Sequence, residues 1–391
     1  MTSEYLYPRS GDGKLRLEVI DSFETLNNYA DDWNRLAFEA PHRLPTISYA
    51  WVSSYIEYLL LPGETWCCIL AFDNDQLIGL LPVIISPHHL LGLNRPRIRA
   101  PQNKHTYSVD FVCTGGREKE VIPAILGVLR QIQPRFYDFS LIRLPESSPT
   151  ISTLPYGARN CIAIREYDGA GSYLRIDGSF DDFRKKLSRN FSRNLSKAHN
   201  KLARLPDVRA VFLSGPDATE KELDLFMHAE ASGWKATAGT AIRNSQTLVT
   251  FYRALTRRMS QLGWLEWHFL QSQDRVLAAQ LAIKMKSTLI VLKIGYDEEY
   301  SYCSPGNALF ESTVERAYKS GDTEEINCIT DMPWHDNWGM LKRPHYNLWI
   351  YPRRPMPIMI GALGRKAKIQ IRSMPGFPLL YRQIKGLMKG D

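Results

Sequence analysis

Three consecutive apolar segments between residues 264 and 297 constrain the fold of this chain most. WLEWHFLQSQ, DRVLAAQLAIKMK and STLIVLKIGYD have the length of strands and are separated by short polar turns. A helix that opens with SPGNALFE (304–311) follows them, and the strand-like EEINCIT comes next. Because successive strands are followed by a helix and a further strand, we predict an α/β fold (α+β mixed sheet) with helices on both faces.

The first half of the chain has a similar order of elements. LRLEVI predicts a strand, SFETLNNYADDWNRLAFEA (22–40) a helix, and SYAWVSSYIEYLL a second helix. TWCCILAFDNDQLIGLLPVIIS predicts a hairpin, and YSVDFVC, EKEVIPAILGVLRQI and YDFSLIRL predict a strand, a helix and a strand. We therefore predict two tandem domains, residues 15–166 and 167–350, with mixed, mostly antiparallel sheets flanked by helices.

The composition points to a globular protein that works in water. Hydrophobic residues make up 44% and charged residues 23% of the 391. No apolar run is long enough to cross a bilayer, and the N-terminus lacks the basic-then-apolar pattern of an export signal. The six cysteines form no CxxC pair and the nine histidines are scattered. We expect a cytoplasmic protein with buried reduced thiols and no bound metal.

The net charge of +8 is concentrated at the C-terminus. From residue 353 onward there are nine basic residues and one acid; nine minus one is eight, so residues 1–352 are balanced. A basic tail over 353–391 favours an anionic partner, either lipid or RNA. Interleaved apolar side chains favour contact with an anionic membrane surface, and a solvated tail is the alternative.

The helix opening at residues 304–307 suits an anion. Ser304 can cap the helix, Pro305 suits its first position, and Gly306 permits close approach to the backbone. The unpaired N–H groups of a helix start favour a phosphate, although a capped helix needs no ligand.

A long basic helix is predicted over residues 181–204. Its apolar stripe is flanked by six cations at helical spacing with no acid among them: Lys186, Arg189, Arg193, Lys197, Lys201 and Arg204. Such a stripe is either a solvated face or a surface that holds an anion.

These segments together resemble the GNAT superfamily of acetyltransferases. The resemblance rests on TISYAW, DNDQLIGLLPV, GYD (295–297), SPGNALFE and WHDNW (334–338), and it extends from about residue 15 to residue 350. It is strongest to the large bacterial CelD-like branch (cellulose-biosynthesis type), which is distantly related to Fem-type aminoacyltransferases.

The resemblance implies an acyl-coenzyme A donor, such as acetyl-CoA. Its phosphates would meet Ser304, Gly306 and Asn307, and its pantetheine would lie along an open strand edge at Ile294 and Tyr296. Arg189 and Arg193 of the basic helix would hold the coenzyme's 3'-phosphate, an anionic acceptor or a transfer RNA.

The resemblance also implies candidates for catalysis and acceptor binding. Relatives carry a lysine where this chain has His335 between Trp334 and Trp338. Two roles are open for His335, namely accepting a proton or only packing between the two tryptophans. Because strand side chains alternate, Glu266 and His268 share a face and form either a base with its orienting partner or an exposed pair. We predict three catalytic candidates, His335, Glu266 and Asp331. We predict that the acceptor is bound by Asp297, Trp334, Trp338, Arg189 and Arg193.

The leading functional hypothesis is a coenzyme-A-dependent N- or O-acyltransferase. We expect it in the cytoplasm, either free or as a peripheral protein at the inner face of the cell membrane. The resemblance implies a sugar or lipid-linked precursor of a cell-surface polymer as acceptor. One alternative is a Fem-like aminoacyltransferase that uses charged transfer RNA, which the missing long helical arm disfavours. The other is a non-catalytic protein of the membrane surface. Outside the transfer RNA alternative, no nucleic-acid partner is expected.

Overall fold

The computed structural model describes residues 2–8, 14–41, 43–157, 160–232 and 241–373. The strands are β1 (Thr2–Pro8), β2 (Lys14–Ile20), β3 (Thr65–Asp73), β4 (Gln76–Ser86), β5 (His89–Leu90), β6 (Leu93–Asn94), β7 (Arg97–Arg99), β8 (Val112–Cys113), β9 (Phe139–Pro145), β10 (Cys161–Arg175), β11 (Val208–Ser214), β12 (Leu265–Ser272), β13 (Arg275–Met285), β14 (Thr288–Tyr296), β15 (Glu325–Asn327) and β16 (Leu341–Pro352). The α-helices are α1 (Phe23–Asn27), α2 (Ala30–Glu39), α3 (Tyr49–Tyr58), α4 (Glu118–Ile132), α5 (Pro149–Gly157), α6 (Phe180–Lys186), α7 (Arg189–Leu202), α8 (Leu223–Ala231), α9 (Gln246–Gln261), α10 (Pro305–Ser320) and α11 (Leu363–Ser373).

One continuous sheet runs through both halves of the chain. Fourteen of the described strands form it, in the order β1-β2-β3-β4-β7-β9-β16-β10-β15-β14-β13-β12-β11, with β8 paired to β4. Neighbouring strands are antiparallel except β7–β9 and β14–β15, which are parallel. The predicted α/β class, a mixed and mostly antiparallel sheet flanked by helices, is confirmed.

Strand β16 joins the two halves, and the sequence did not predict it. It pairs with β9 on one side and with β10 on the other. The predicted boundary between residues 166 and 167 falls inside β10, so both proposed domains share that strand. Pro344 sits opposite Ala170, where the β10–β16 register shifts, and a proline is tolerated at such an irregularity.

The predicted helix over 181–204 is wrong in one respect, because it is two helices. Leu187 between them has extended backbone (φ −66°, ψ 147°). The Ser188 hydroxyl accepts the backbone N–H of Phe191 at 3.2 Å and so caps α7. The predicted helix over 22–40 likewise divides into α1 and α2, and only Val112–Cys113 of YSVDFVC is a strand.

A shared apolar core connects the halves. Helices α2 and α3 of the first half and α8 and α9 of the second contribute to one cluster. Within it, the rings of Trp51 and Phe251 lie 6.4 Å apart, edge to face. This packing brings the loop at residues 103–107 against the second half. All six cysteines are buried and unpaired, as predicted.

The first part of the predicted basic tail packs against the sheet. A π-helical turn (Pro357–Ala362) leads into α11, and Ala362 clusters with Ile164 and Tyr351. The carboxylate of Glu166, 7% exposed, accepts hydrogen bonds at 3.1 Å from Arg365, Arg372 and the Trp349 indole. Residues 374–391 of the tail lie outside the described residues. No helix in the described part of the chain is long and apolar enough to span a membrane.

Candidate active site

A cavity of about 630 Å³ opens where β14 and β15 separate. The two parallel strands pair only as far as Ile290 and Asn327. Beyond that point the cavity is lined by Val291–Ile294 and Tyr296 of β14, the start of α10, residues from 328 to 335, and a loop of the first half. The split between two parallel strands therefore provides a cleft along the edge of β14.

A β-bulge lies in the wall of this cavity. Lys293 stands opposite Leu281 and Val291 opposite Ala282, so Leu292 has no partner on β13. A bulge leaves its extra residue outside the ladder and redirects the local backbone. The extra residue here lines the cavity, which is where a backbone N–H can meet a ligand carbonyl.

Helix α10 presents its start to the cavity, although not as the sequence predicted. Ser304 has a left-handed conformation (φ 48°, ψ 52°), and its hydroxyl makes no capping hydrogen bond, so the predicted cap is wrong. Its carbonyl instead accepts the N–H groups of Asn307 (3.1 Å) and Ala308 (3.2 Å). Among the described residues, the Gly306 N–H has no partner. A side chain at Gly306 would meet only the Tyr296 ring, at 3.7 Å, so there is room for a ligand against this backbone.

The aromatic segment at residues 333–338 forms a 3₁₀ turn at the same cavity. Trp334 lines the cavity, with its ring 5.3 Å from that of Phe310. Trp338 does not line it and is buried between Phe191 and Phe310, with both ring distances 5.0 Å.

His335 lines the cavity but is held by backbone groups. Its Nδ1 accepts the N–H of Met332 at 3.1 Å, and the Thr330 carbonyl accepts a hydrogen bond from the ring. Burial lowers the pKa of His335, so the ring is neutral near pH 7. With both ring nitrogens engaged, the imidazole has no free lone pair for an acceptor proton. This geometry favours the packing alternative.

Glu266 and His268 do share a face, but that face is buried beneath α10. His268 Nε2 lies 3.0 Å from Glu266, its Nδ1 lies 3.0 Å from Gln280, and Arg316 donates to Glu266 at 2.6 Å. Burial raises the pKa of Glu266, but the His268 hydrogen bond and the Arg316 charge outweigh it and lower that pKa. The group borders a separate cavity of about 30 Å³ and is not exposed at an edge.

The remaining predicted residues also lie off the cavity lining. Asp331 pairs with Lys342 at 3.2 Å, and Asp297 is held by Arg275 at 2.7 Å. Arg189 and Arg193 are exposed on α7. The structure thus brings seven predicted residues together at the cavity: Ile294, Tyr296, Ser304, Gly306, Asn307, Trp334 and His335.

Residues 189–334 match the family described as an acetyltransferase (GNAT) domain. This match covers less than half of the chain and supports a GNAT acetyltransferase domain over these residues. The crystal structure of FemX is similar, with a TM-score of 0.58 at 9% identity over 85% of this chain and 98% of FemX. So is that of a conserved protein of unknown function from Bacteroides thetaiotaomicron VPI-5482, with a TM-score of 0.52 at 12% identity over 85% of this chain and 99% of that one. At these identities the two structures show a shared fold alone. No curated protein matches the chain.

The family match confirms two predictions, namely the GNAT superfamily and the acyltransferase class. The GNAT fold implies an acyl-CoA donor, and the split of β14 from β15 lies within the matched residues. The CelD-like branch stays a prediction. The described residues contain no group of three or more metal-ligating side chains.

The sequence analysis missed a polar cluster at the cavity. The GNAT domain contributes Glu230 from α8 and Lys293 from β14, and the first half contributes Lys104, His105 and Tyr107. The Glu230 side chain is fully buried, accepts the Ile242 N–H at 3.0 Å and lies 3.6 Å from the Lys293 ammonium. A lysine within the apolar LIVLKIGYD was the one visible signal.

Close packing of α8 on β14 positions this cluster. A Cβ on Gly295 would lie 2.8 Å from Glu230 Cα, so only glycine permits this approach. Glu230 is thereby placed beside the strand that carries the bulge.

Proposed function

We propose that this protein transfers an acyl group from acyl-CoA, with acetyl-CoA as the first donor to test, to a hydroxyl or amine. The observation that supports this most is the cleft between β14 and β15, which has a bulged strand on one side and the start of α10 on another. A bound donor supplies an activated thioester, and the protein supplies positioning, charge stabilisation and a base.

Each wall of the cleft has a separate task in this proposal. The edge of β14 at Ile294 and Tyr296 holds the pantetheine chain. The start of α10, with the Gly306 N–H and the Asn307 side chain, receives the pyrophosphate. The bulge at Leu292 orients a backbone N–H toward the carbonyl oxygen as negative charge develops on it.

The acceptor that we propose is a small sugar or lipid-linked precursor of a cell-surface polymer, which rests on the family resemblance. A membrane location at the inner face of the cell membrane fits this substrate class. It is supported by the outer face of the segment formed by the π-helical turn and α11. There Ile360, Leu363 and Ile371 are about half exposed beside the exposed Lys366 and Lys368. Apolar side chains next to lysines suit an anionic lipid surface.

Aminoacyl transfer from charged transfer RNA is the second candidate. The six cations predicted as a stripe are all exposed on and beside α7, which favours an extended polyanion. Against it, the longest helices in the described part of the chain have 16 residues, so no long helical arm is found there. RNA binding that falls steeply with salt would favour this candidate.

Acetyl-CoA binding is the direct test of the donor site. Because a ligand that binds only the folded state stabilises it, acetyl-CoA at a hundred times its Kd should add about 2.7 kcal/mol to the free energy of unfolding. Differential scanning fluorimetry measures the stabilisation as a rise in melting temperature, and isothermal titration calorimetry measures the Kd of acetyl-CoA.

The Gly306→Val variant locates the site. Its side chain fills the space against the α10 backbone, so acetyl-CoA affinity should fall at least tenfold while the protein stays folded. Gly115→Val is the matched control, since a Cβ there meets nothing within 4 Å. If millimolar acetyl-CoA does not shift the melting temperature of the wild-type protein, the donor assignment is contradicted. If Gly306→Val binds acetyl-CoA with unchanged affinity, the phosphate site lies elsewhere.

A further inference from the structure

We propose that His105, a residue of the first half, accepts the proton of the acceptor nucleophile, so that both halves of the chain form the acceptor site. This inference rests on the proposed acyl transfer and names the base that the sequence candidates do not supply. It is carried by a histidine that lines the cavity and has one buried ring nitrogen without a partner among the described residues.

The loop that carries His105 is held rigidly. Asn103 and Thr106 exchange backbone hydrogen bonds of 3.1 and 3.3 Å, and the Asn103 side chain accepts the His105 N–H at 2.8 Å. The Trp51 indole donates to the Thr106 hydroxyl at 2.9 Å. The imidazole is therefore positioned by a tight turn that is fastened to helix α3.

The two ring nitrogens of His105 have different surroundings. Nδ1 lies 3.3 Å from the hydroxyl of Tyr252 on α9. Nε2 is buried without a hydrogen-bond partner among the described residues, and the residue, which is 8% exposed, lines the cavity. A buried polar atom without a partner is rare in proteins and needs an explanation, and at the wall of this cavity a bound acceptor provides one.

The proposed role needs the tautomer in which His105 Nδ1–H donates to the hydroxyl oxygen of Tyr252. Burial raises the pKa of Tyr252 well above its ordinary value, so its hydroxyl stays protonated and its oxygen can accept the His105 Nδ1–H. In that tautomer the lone pair is on Nε2, the ring nitrogen that has no partner among the described residues.

The charges around His105 keep it neutral. Burial, together with the charges of Lys293 and Lys104, lowers the pKa of His105 to about 4, and Glu230 acts in the opposite direction. Of the other titratable groups, Tyr252 contacts the ring and Tyr107 lines the same cavity. An imidazole with this surrounding is an unprotonated acceptor throughout the neutral pH range.

The same groups connect His105 to the bulge. Lys293 follows Leu292 directly, and its ammonium lies 5.4 Å from the Tyr252 ring centroid and 3.6 Å from Glu230. Tyr252 in turn contacts His105. A contiguous set of side chains thus runs from the strand that holds the thioester to the ring that takes the proton.

In the resulting step the acceptor's hydroxyl or amine attacks the thioester carbonyl carbon. A C–O or C–N bond forms, and the C–S bond breaks with its electron pair leaving on sulfur. The acceptor's proton passes to His105 Nε2 and from there to solvent or to the departing thiolate.

One test needs no donor at all. Nitrogen-15 NMR of the full chain without coenzyme reports the protonation state of each histidine nitrogen. We expect His105 to be the Nδ1–H tautomer with a bare Nε2, and to take up a proton only at about pH 4. An Nε2–H tautomer, or titration near the ordinary value of 6.5, would overturn the proposal.

A second test measures transfer with hydroxylamine as the probe acceptor and release of the coenzyme A thiol as readout. The His105→Gln variant keeps the size of the side chain but takes up no proton, so release should fall about a hundredfold with acetyl-CoA affinity unchanged. Tyr252→Phe should lower release by a smaller factor. The His89→Gln variant, an exposed histidine of the first half, is the control and should match wild type.

The outcomes separate this inference from the proposed function. Failure of wild-type protein to bind acetyl-CoA refutes the donor site itself. Wild-type protein that binds acetyl-CoA but releases no thiol above background overturns the role of His105. So does a His105→Gln variant whose release stays within threefold of wild type.

Discussion

At the scale of single residues, Glu266 shows how a plausible catalytic pair can belong to the core. Its carboxylate lies between His268 and Arg316, and His268 is itself fully buried and contacts Gln280 and Thr313 of the same network. Removing one member of such a buried group leaves the charges of the others without a partner, which lowers the free energy of unfolding by several kcal/mol (about 3–5).

Glu266→Ala should therefore destabilise the fold by about 3 kcal/mol or more, because it leaves Arg316 and His268 without their acceptor. Chemical denaturation measures this free energy, and acetyl-CoA affinity should stay near wild type. The control is Glu315→Ala on α10. Its partly exposed carboxylate pairs with the exposed Lys319, so the change should alter stability by no more than about 0.5 kcal/mol.

Glu266 also makes the free energy of unfolding depend on pH in the acidic range. Because the folded-state pKa of Glu266 is below its ordinary value of 4.5, its contribution is present above that pH and is lost as the pH falls through the folded pKa. Glu266→Gln should remove this part of the acid sensitivity. If Glu266→Gln is as stable as wild type but no longer releases the coenzyme A thiol, Glu266 is the catalytic base and not a structural residue.

At the scale of elements, the segment formed by the π-helical turn (Pro357–Ala362) and α11 has two faces with different surroundings. The inner face places Arg365 over the Trp349 ring, with 3.5 Å from its guanidinium carbon to the ring centroid, and binds Glu166. This face stabilises the helix on the body. The outer face, Ile360, Leu363 and Ile371, repeats at helical spacing and is free for another surface.

The outer face should determine vesicle binding. We expect wild-type protein to sediment with phosphatidylglycerol-containing vesicles and to be released as salt rises, since screening weakens the lysine contribution. Replacing Ile360, Leu363 and Ile371 together by serine should remove most of this binding without unfolding the helix, which its inner face holds.

The matched control replaces exposed leucines of the first half, Leu61 and Leu91, by serine. Their loss should leave sedimentation unchanged. If the triple-serine protein sediments as strongly as wild type, the helix is not the lipid contact. If the protein binds vesicles of phosphatidylcholine alone as strongly as the anionic vesicles, the lysines do not contribute to vesicle binding through charge.

At the scale of the whole molecule, β16 and the shared core couple the two halves. β16 is paired on both edges, and its Leu348 is 1% exposed within a core cluster of the first half. Separate halves would each leave one edge of a central strand unpaired. We expect the two halves to unfold together.

Leu348→Ala tests this coupling. Deleting buried methyl groups should cost about 2–5 kcal/mol and shift a single calorimetric transition to lower temperature. Leu341→Ala in the same strand removes an exposed side chain and should have little effect. Two resolved transitions, of which Leu348→Ala shifts one, would show independent domains.

The sequence was most informative where structure depends on near neighbours. The meander of β12, β13 and β14 and the helix from Pro305 were predicted because alternation and helix-start residues are local signals. The donor side of the cavity followed from the same stretch. The break at Leu187 was missed because Ser188 is one of several serines in a continuous helical pattern.

Other features depend on residues far apart in the chain, and no local pattern announced them. β16 became a central strand because β9 and β10, about 200 residues away in the sequence, present edges to it. His105 meets Tyr252 because the core packs α3 against α9. Glu266 and His268 alternate correctly, but whether that face meets solvent or a helix depends on where α10 crosses. Burial and charge surroundings are properties of the folded chain, and these set which carboxylate is structural and which imidazole can take a proton.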